Sequence, residues 1–252
     1  MNILAIGNSF SQDAMRYLHR IARADGVDLR TTNLYVGGCP LWYHYRNTLG
    51  DMRAYELQSN GEETGFTVSL EETLLNRKWD VVTLQQASHE SFKPETYQPY
   101  ASEVAAFVRK YQPKARFLWH QTWAYEEGSD RLHHVAGFEH ADDMIAAVKT
   151  AYALACEQTQ ADGIIPSGEM FRWLLANGIE KIHRDTFHAS LGLGRYALGL
   201  LWYKTITGRA VTGNPFPRSM SRSHRRILNL CNATSILCSV FRKKDLAHIK
   251  RV

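Results

Sequence analysis

Two short stretches of the chain carry residues suited to nucleophilic catalysis. The first is the segment 7–11, Gly-Asn-Ser-Phe-Ser, which directly follows a short apolar run. A tight turn from strand to helix exposes a serine hydroxyl, here that of Ser9, and aims a backbone N–H at an incoming carbonyl oxygen. Gly7 allows such a turn without a steric clash. Alone, the segment is better explained as an ordinary turn in which Ser11 caps a helix.

The second stretch contains Asp185 and His188, just ahead of the last long predicted helix. A serine nucleophile needs a base to accept its proton and a carboxylate to orient the imidazole, so an Asp and a His on one loop meet both needs. The chain has 11 His, so this spacing could also arise by chance. His183 is a competing base, although no Asp stands three residues before it.

Alternating strand and helix patterns position these stretches. A short apolar run predicts a strand at residues 3–6, and further strand patterns are found at residues 29–36, 79–84, 115–120 and 163–166, with helical patterns between them. This alternation indicates a parallel sheet covered on both faces, in which ligands bind beyond the carboxyl ends of the strands. We therefore expect functional residues at 7–11, 37–41, 85–90 and 120–125.

Charge is distributed unevenly along the chain. The net charge is +5, but residues 213–252 hold nine Lys and Arg against one acid. We expect a catalytic domain over residues 1–212 and a basic, partly helical extension over 213–252. We interpret the extension as a solvated end, so no nucleic-acid partner is expected.

The remaining composition narrows the location and the cofactor chemistry. The four cysteines form no CxxC pair, the start of the chain has no signal-peptide pattern, and no apolar run is long enough to span a membrane. A cytoplasmic location and no membrane partner are the corresponding expectations. The sequence also lacks the glycine-rich phosphate loops and the HExxH zinc motif. We therefore expect no cofactor and no metal.

Taken together, the two stretches resemble the motifs of the SGNH, or GDSL-like, hydrolases. Segment 7–11 is similar to the first motif of that family, with Asn8 in place of the usual Asp, and residues 185–188 are similar to the last. The resemblance covers residues 3 to about 206. It implies a flavodoxin-like three-layer α/β/α sandwich with a parallel five-stranded sheet, and a serine esterase using Ser9, Asp185 and His188.

The resemblance also implies an oxyanion hole. Gly38, chosen over Gly37, stands where the family has the glycine whose N–H points into the hole. The family's Asn after the third strand is absent here, so we expect the Gln86 amide to replace it, with Ser88 or His89 as alternatives.

Aromatic residues follow two of the predicted strands, and flat rings beside polar groups suit sugars. We expect Trp42 and Trp123 to contact the substrate, although buried rings at such positions could simply be core. The expected substrate is a short acyl ester, preferably acetyl, on a small molecule or carbohydrate. Two alternatives stay open: a lipid or thioester hydrolase with the same three residues, and a sugar-binding module without turnover.

Overall fold

The computed structural model describes residues 1–217 and 221–233. The strands are β1 (Asn2–Gly7), β2 (Arg30–Tyr35), β3 (Tyr55–Ser59), β4 (Glu62–Val68), β5 (Val81–Leu84), β6 (Arg116–His120) and β7 (Gly163–Ile165). The helices are α1 (Ser9–Met15), α2 (Leu18–Ala24), α3 (Leu41–Leu49), α4 (Leu70–Asn76), α5 (Tyr100–Tyr111), α6 (Ala141–Gln158), α7 (Ser167–Ala176), α8 (Leu193–Thr207) and α9 (Arg222–Ala233). A 3-10 turn at Pro94–Thr96 and a π-helical segment at Arg131–Ala136 complete the described elements.

The sheet has seven strands in the order β4-β3-β2-β1-β5-β6-β7. The five predicted strands are all present and pair in parallel. The prediction of a five-stranded, wholly parallel sheet is nevertheless wrong, because β3 and β4 form a hairpin that adds antiparallel to β2. Asn60 and Gly61 turn this hairpin at φ 51° and 83°, the positive values that a tight two-residue hairpin turn requires.

Helices cover both faces of the sheet, which gives three layers. Along β1, Ile3 and Ala5 pack against α1, α2 and α8, whereas Leu4 and Ile6 pack against α3, α4, α5 and α6. Because successive side chains of a strand point to opposite faces, a continuous apolar run such as residues 3–6 must be buried on both sides. The carboxyl ends of the parallel strands therefore open at one edge, where the turn after β1 begins α1.

Helix α9 belongs to the predicted C-terminal extension. Its Ile227 and Leu228 are buried in the apolar cluster that also contains α8. The sequence predicts a helix over the apolar stretch 227–241, of which residues 234–241 lie outside the described part of the chain. Over residues 1–217 and 221–233, no helix combines the length and apolar character needed to cross a membrane.

Candidate active site

Ser9 is the first residue of α1, immediately beyond the end of β1. Asn8 caps this helix, because its Oδ1 accepts a hydrogen bond of 3.0 Å from the N–H of Phe10. A Cβ atom at Gly7 would lie 2.5 Å from Ser11 Oγ and 2.8 Å from Gln85 Oε1. The turn therefore needs glycine before Asn8. It presents a half-buried Ser9 at the N-terminal end of a helix, where backbone N–H groups are unpaired.

Ser9, His188 and Asp185 form a continuous chain of hydrogen bonds. Ser9 Oγ donates to His188 Nε2 at 2.8 Å, and His188 Nδ1 donates to Asp185 Oδ2 at 2.8 Å. The backbone N–H of His188 also donates to Asp185 Oδ1 at 2.9 Å. The structure thus brings together the three residues that the sequence singled out, with the imidazole held by the carboxylate in the tautomer that can accept a proton from serine.

The charge of Asp185 is stabilised by its neighbours. Partial burial raises the pKa of this carboxyl, but the hydrogen bonds from the His188 ring and backbone, together with the positive charge of Arg184, more than offset that effect. The net result is a pKa below the ordinary aspartate value. Asp185 therefore stays anionic at neutral pH and can stabilise a positively charged imidazole.

Asp13 links the helix that bears Ser9 to the loop that bears His188. Its carboxylate is fully buried and accepts hydrogen bonds from Arg184 Nη1 at 3.0 Å, Arg195 Nε at 2.7 Å and the N–H of Ala189 at 3.0 Å. Arg184 and Ala189 flank the Asp185–His188 segment, while Arg195 lies in the first turn of α8. One carboxylate therefore fixes three points of the His188 region to α1.

The loop that carries Gly38 is tied to the same turn. Asn8 Nδ2 donates to the carbonyl of Cys39 at 3.2 Å, and the N–H of Val36 donates to the carbonyl of Gly7 at 3.2 Å. Gly38 is exposed and has a φ of 62°, in the left-handed region that favours glycine. These bonds place the loop that carries Gly38 beside the Ser9 turn.

The prediction that the Gln86 amide donates a hydrogen bond to the oxyanion is wrong. Both ends of its amide are already bonded: Oε1 accepts from the N–H groups of Leu41 and Ala87 at 2.9 Å each, while Nε2 donates to the hydroxyl and carbonyl oxygens of Thr96. Gln86 is also fully buried. Its amide fastens the start of α3 to the 85–96 loop, so it has no N–H free to hold an oxyanion.

The preceding residue, Gln85, is the glutamine that faces the Ser9 turn. Its Nε2 donates to Asn8 Oδ1 at 2.7 Å, and its Oε1 accepts from His120 Nδ1 at 2.9 Å. Gln85 and His120 are both completely buried. Gln85 holds Asn8 in place and is itself held by His120, so the two buried residues fix the loop that carries Ser9.

Ser88 and His89 differ in their contacts and in their exposure to solvent. The Ser88 hydroxyl lies 3.2 Å from the hydroxyl of Tyr125, whereas the His89 side chain is 47% exposed and lies 4.0 Å from Glu90. Neither side chain is held at both ends as the Gln86 amide is. Both therefore stay open as the third oxyanion donor.

Burial of His120 makes stability depend on pH. Desolvation lowers the pKa of His120 to about 3, and that of the equally buried His44 to about 3. An unfolded histidine titrates near 6.5, so below that pH the unfolded state binds protons that the folded state excludes. We expect the unfolding free energy to fall as the pH drops from about 6.5 toward 3, by up to about 1.4 kcal/mol per pH unit for each His.

Urea denaturation near neutral pH and at about pH 5 measures this loss. The variant His120→Asn keeps a donor for Gln85 but cannot titrate, so its stability should change less between the two pH values. His134→Asn, at a side chain 80% exposed, is the matched control and should behave like the parent protein. An identical pH dependence in His120→Asn and the parent would contradict the prediction.

The two tryptophans expected to contact substrate differ in exposure. Trp123 is fully buried, stacks on Phe10 with ring centroids 4.1 Å apart, and donates through Nε1 to the carbonyl of Phe187 at 2.7 Å. The expectation of a substrate contact at Trp123 is therefore wrong; this ring supports the residues on either side of the site. Trp42 is 41% exposed on the first turn of α3, so its ring is open to a ligand.

The family of the chain is shown by comparison with known proteins. A family model described as "Domain of unknown function (DUF4886)" matches residues 2–234. The chain belongs to this family. A search of the curated proteins finds no match.

Solved structures share the fold of this DUF4886 chain. A DUF4886 family protein from Bacteroides uniformis ATCC 8492 is 29% identical, with 97% of this chain and 98% of that one covered and a TM-score of 0.88. A candidate SGNH hydrolase from Slackia heliotrinireducens is 23% identical over 81% of this chain and 97% of its own, with a TM-score of 0.61. The acetyl xylan esterase AlAXEase is 14% identical over 80% and 98%, with a TM-score of 0.52. This DUF4886 chain therefore shares the α/β fold of SGNH hydrolases and esterases.

Two supporting residues of the DUF4886 site, Asp13 and Arg184, were not predicted from the sequence, and Gln85 was expected only as a member of the functional segment 85–90. Asp13 lies one helical turn beyond Ser9, so a carboxylate on that face was the available signal. Nothing in the sequence connects it with Arg184 or Arg195, which lie more than 170 residues away. In the described part of the chain, no group of three or more His, Cys, Asp or Glu side chains could hold a metal.

Proposed function

We propose that this protein is a serine esterase that removes short acyl groups, preferably acetyl, from small molecules or carbohydrates. The observation that carries the proposal is the hydrogen-bonded chain from Ser9 through His188 to Asp185. Both contacts have the short distances expected of a nucleophile, a general base and its orienting carboxylate. The fold shared with SGNH hydrolases and with an acetyl xylan esterase supports this function.

In the proposed reaction, Ser9 Oγ attacks the ester carbonyl carbon and its proton passes to His188 Nε2. Asp185 stabilises the resulting imidazolium. The backbone N–H groups of Ser9 and Gly38 hold the tetrahedral oxyanion, with Ser88 or His89 as the third donor. Collapse of the intermediate breaks the ester C–O bond, and His188 returns the proton to the departing alcohol.

The second half of the proposed reaction releases the acyl group. A water molecule gives one proton to His188 and attacks the acyl-Ser9 carbonyl carbon. The second tetrahedral intermediate then breaks its bond to Ser9 Oγ, which takes the proton back from His188, and the carboxylic acid leaves. No cofactor takes part in this scheme. The catalytic unit is proposed to span residues 1–212, with residues 213–252 as a basic extension, and exposed Trp42 is proposed to contact the leaving alcohol.

Covalent labelling tests the nucleophile directly. A fluorophosphonate is expected to add once to the protein, and peptide mass spectrometry should place the adduct on Ser9. His188→Gln should slow labelling strongly because it removes the base, while His134→Gln, at an exposed position outside the site, should not. Absence of an adduct on Ser9, together with retained sugar binding, would instead favour a module without turnover.

A chain-length series of 4-nitrophenyl esters separates the proposed esterase from a lipid or thioester hydrolase. We expect the highest kcat/KM with acetate and a steady fall toward octanoate. The opposite order, or a marked preference for an acyl thioester, would assign the same three residues to the longer-chain class.

A further inference from the structure

We propose that Arg131 binds a carboxylate carried by the ester substrate. The proposal rests on the esterase function above and names the chemical class of its substrate. Arg131 lies in the π-helical segment, and its guanidinium carbon is 3.9 Å from the centre of the Phe187 ring. Phe187 is next to His188 in the chain, and its ring centre is 3.7 Å from that of the imidazole.

Those two distances place Arg131 relative to the reacting atoms. Two planar groups so close to the centre of one ring would overlap if they shared a face of it. The imidazole of His188 and the guanidinium of Arg131 therefore lie on opposite faces of Phe187, separated by the thickness of one ring and two contact layers. The guanidinium carbon is therefore no more than 7.6 Å (3.7 Å plus 3.9 Å) from the centre of the imidazole, and a carboxylate at a similar distance from the ester carbonyl of a bound substrate would meet it.

The charge of Arg131 is not neutralised within residues 1–217 and 221–233. Its contacts there are the faces of Phe187 and Tyr125, the latter at 5.6 Å. Burial raises the pKa of the Tyr125 hydroxyl, and the positive charge of Arg131 acts to lower it. No carboxylate of the described residues pairs with it. The two other arginines near His188, Arg184 and Arg195, are both bound by the buried carboxylate of Asp13.

A half-buried guanidinium that has no carboxylate partner is suited to bind the carboxylate of a ligand. Guanidinium has five N–H donors in a fork that fits a planar carboxylate, and at most one of them is used by Tyr125. Stacking on Phe187 and Tyr125 fixes the plane of the fork without satisfying its charge. The cation is thus held ready for an anionic group at a defined distance from the scissile ester.

The test compares two aryl acetates that differ only in charge, 4-acetoxybenzoate and the neutral 4-acetoxybenzamide. We expect the parent protein to prefer the benzoate through a lower KM. Arg131→Gln should lower kcat/KM for the benzoate about tenfold or more, the effect of one hydrogen bond to a charged group, and leave the benzamide within about twofold. Arg131→Lys should retain part of the preference, because the charge remains but the fork is lost.

The control is Arg77→Gln. Arg77 also stacks on an aromatic ring, that of Trp79 at 5.3 Å, but it precedes β5 at the opposite end of the sheet. It should leave both esters unaffected. Equal losses for the two esters in Arg131→Gln, no preference in the parent, or the same loss in Arg77→Gln would each overturn the proposal.

Binding to Ser9→Ala separates failure of this inference from failure of the esterase function. Titration calorimetry of the two intact esters with that variant is expected to show about tenfold tighter binding of the benzoate, removed by Arg131→Gln. A charge preference in binding without turnover by the parent would refute the esterase and keep the anion site. Turnover without any charge preference would support the esterase function and refute the anion site at Arg131.

Discussion

Replacing Ser9 with alanine is expected to lower kcat for a small aryl acetate by about 10⁴- to 10⁶-fold, the range known for loss of a serine nucleophile. The hydroxyl is the only group removed, and it is the donor of the 2.8 Å hydrogen bond to His188 Nε2. No other described hydroxyl donates to that ring nitrogen. The oxyanion donors and the binding surface stay in place, so substrate should still bind while the acyl-enzyme cannot form.

Steady-state kinetics with 4-nitrophenyl acetate measure this loss. Ser102→Ala is the matched control, since Ser102 is a partly exposed serine of α5 on the other side of the sheet, and it should keep parental activity. The thermal unfolding midpoint of Ser9→Ala should stay close to that of the parent. Retention of most of the activity by Ser9→Ala would refute the proposed nucleophile.

Replacing Asp13 with asparagine is expected to cost about 3–5 kcal/mol of unfolding free energy, because it leaves Arg184 and Arg195 without their buried counter-charge. The shape of the side chain is nearly unchanged, so the loss reflects charge rather than packing. Asp13 also holds the N–H of Ala189, the residue after His188. Under conditions where the variant is still folded, reaction of Ser9 with a fluorophosphonate should slow as well.

Glu62→Gln provides the comparison for Asp13. Glu62 is likewise a carboxylate held by two arginines, Arg16 and Arg20, but its side chain is 53% exposed. Solvent screens such pairs, so this change should cost less than about 1 kcal/mol. Urea denaturation of both variants measures the difference. Similar losses in the two variants, or a small loss in Asp13→Asn, would show that the buried carboxylate does not hold the site together.

The central part of the fold could be predicted because its strands are buried on both faces. Residues 3–6 form a continuous apolar run, residues 81–84 form one broken only by Thr83, and such runs mark the parallel strands between helices. The β3–β4 hairpin was missed since it lies at the sheet edge, and most of β4 is exposed and polar. The Asn60-Gly61 pair was the available sequence signal for this hairpin, but such a pair predicts a hairpin only when strand patterns flank it.

Neighbouring glutamines show why the support of the site could not be predicted. Gln85 and Gln86 follow the same strand, and nothing local decides which of two successive side chains faces the Ser9 turn. The structure gives that place to Gln85, whereas Gln86 faces α3. Trp123 raises the same difficulty, because a ring just past a strand end can face solvent or core, and only the position of Phe10 and Phe171 settles it.

The long sequence separation within the site has a consequence for how the protein is made. Ser9 and His188 are 179 residues apart, and Asp13 and Arg195 are 182 residues apart. A ribosome therefore exposes the serine early and supplies its partners only after most of the chain has emerged. Contacts of such separation form late in folding, so a nascent or truncated chain ending before Asp185 would carry Ser9 without its catalytic partners. The first turnover of a newly made molecule would then wait for the segment that carries His188, not for the serine itself.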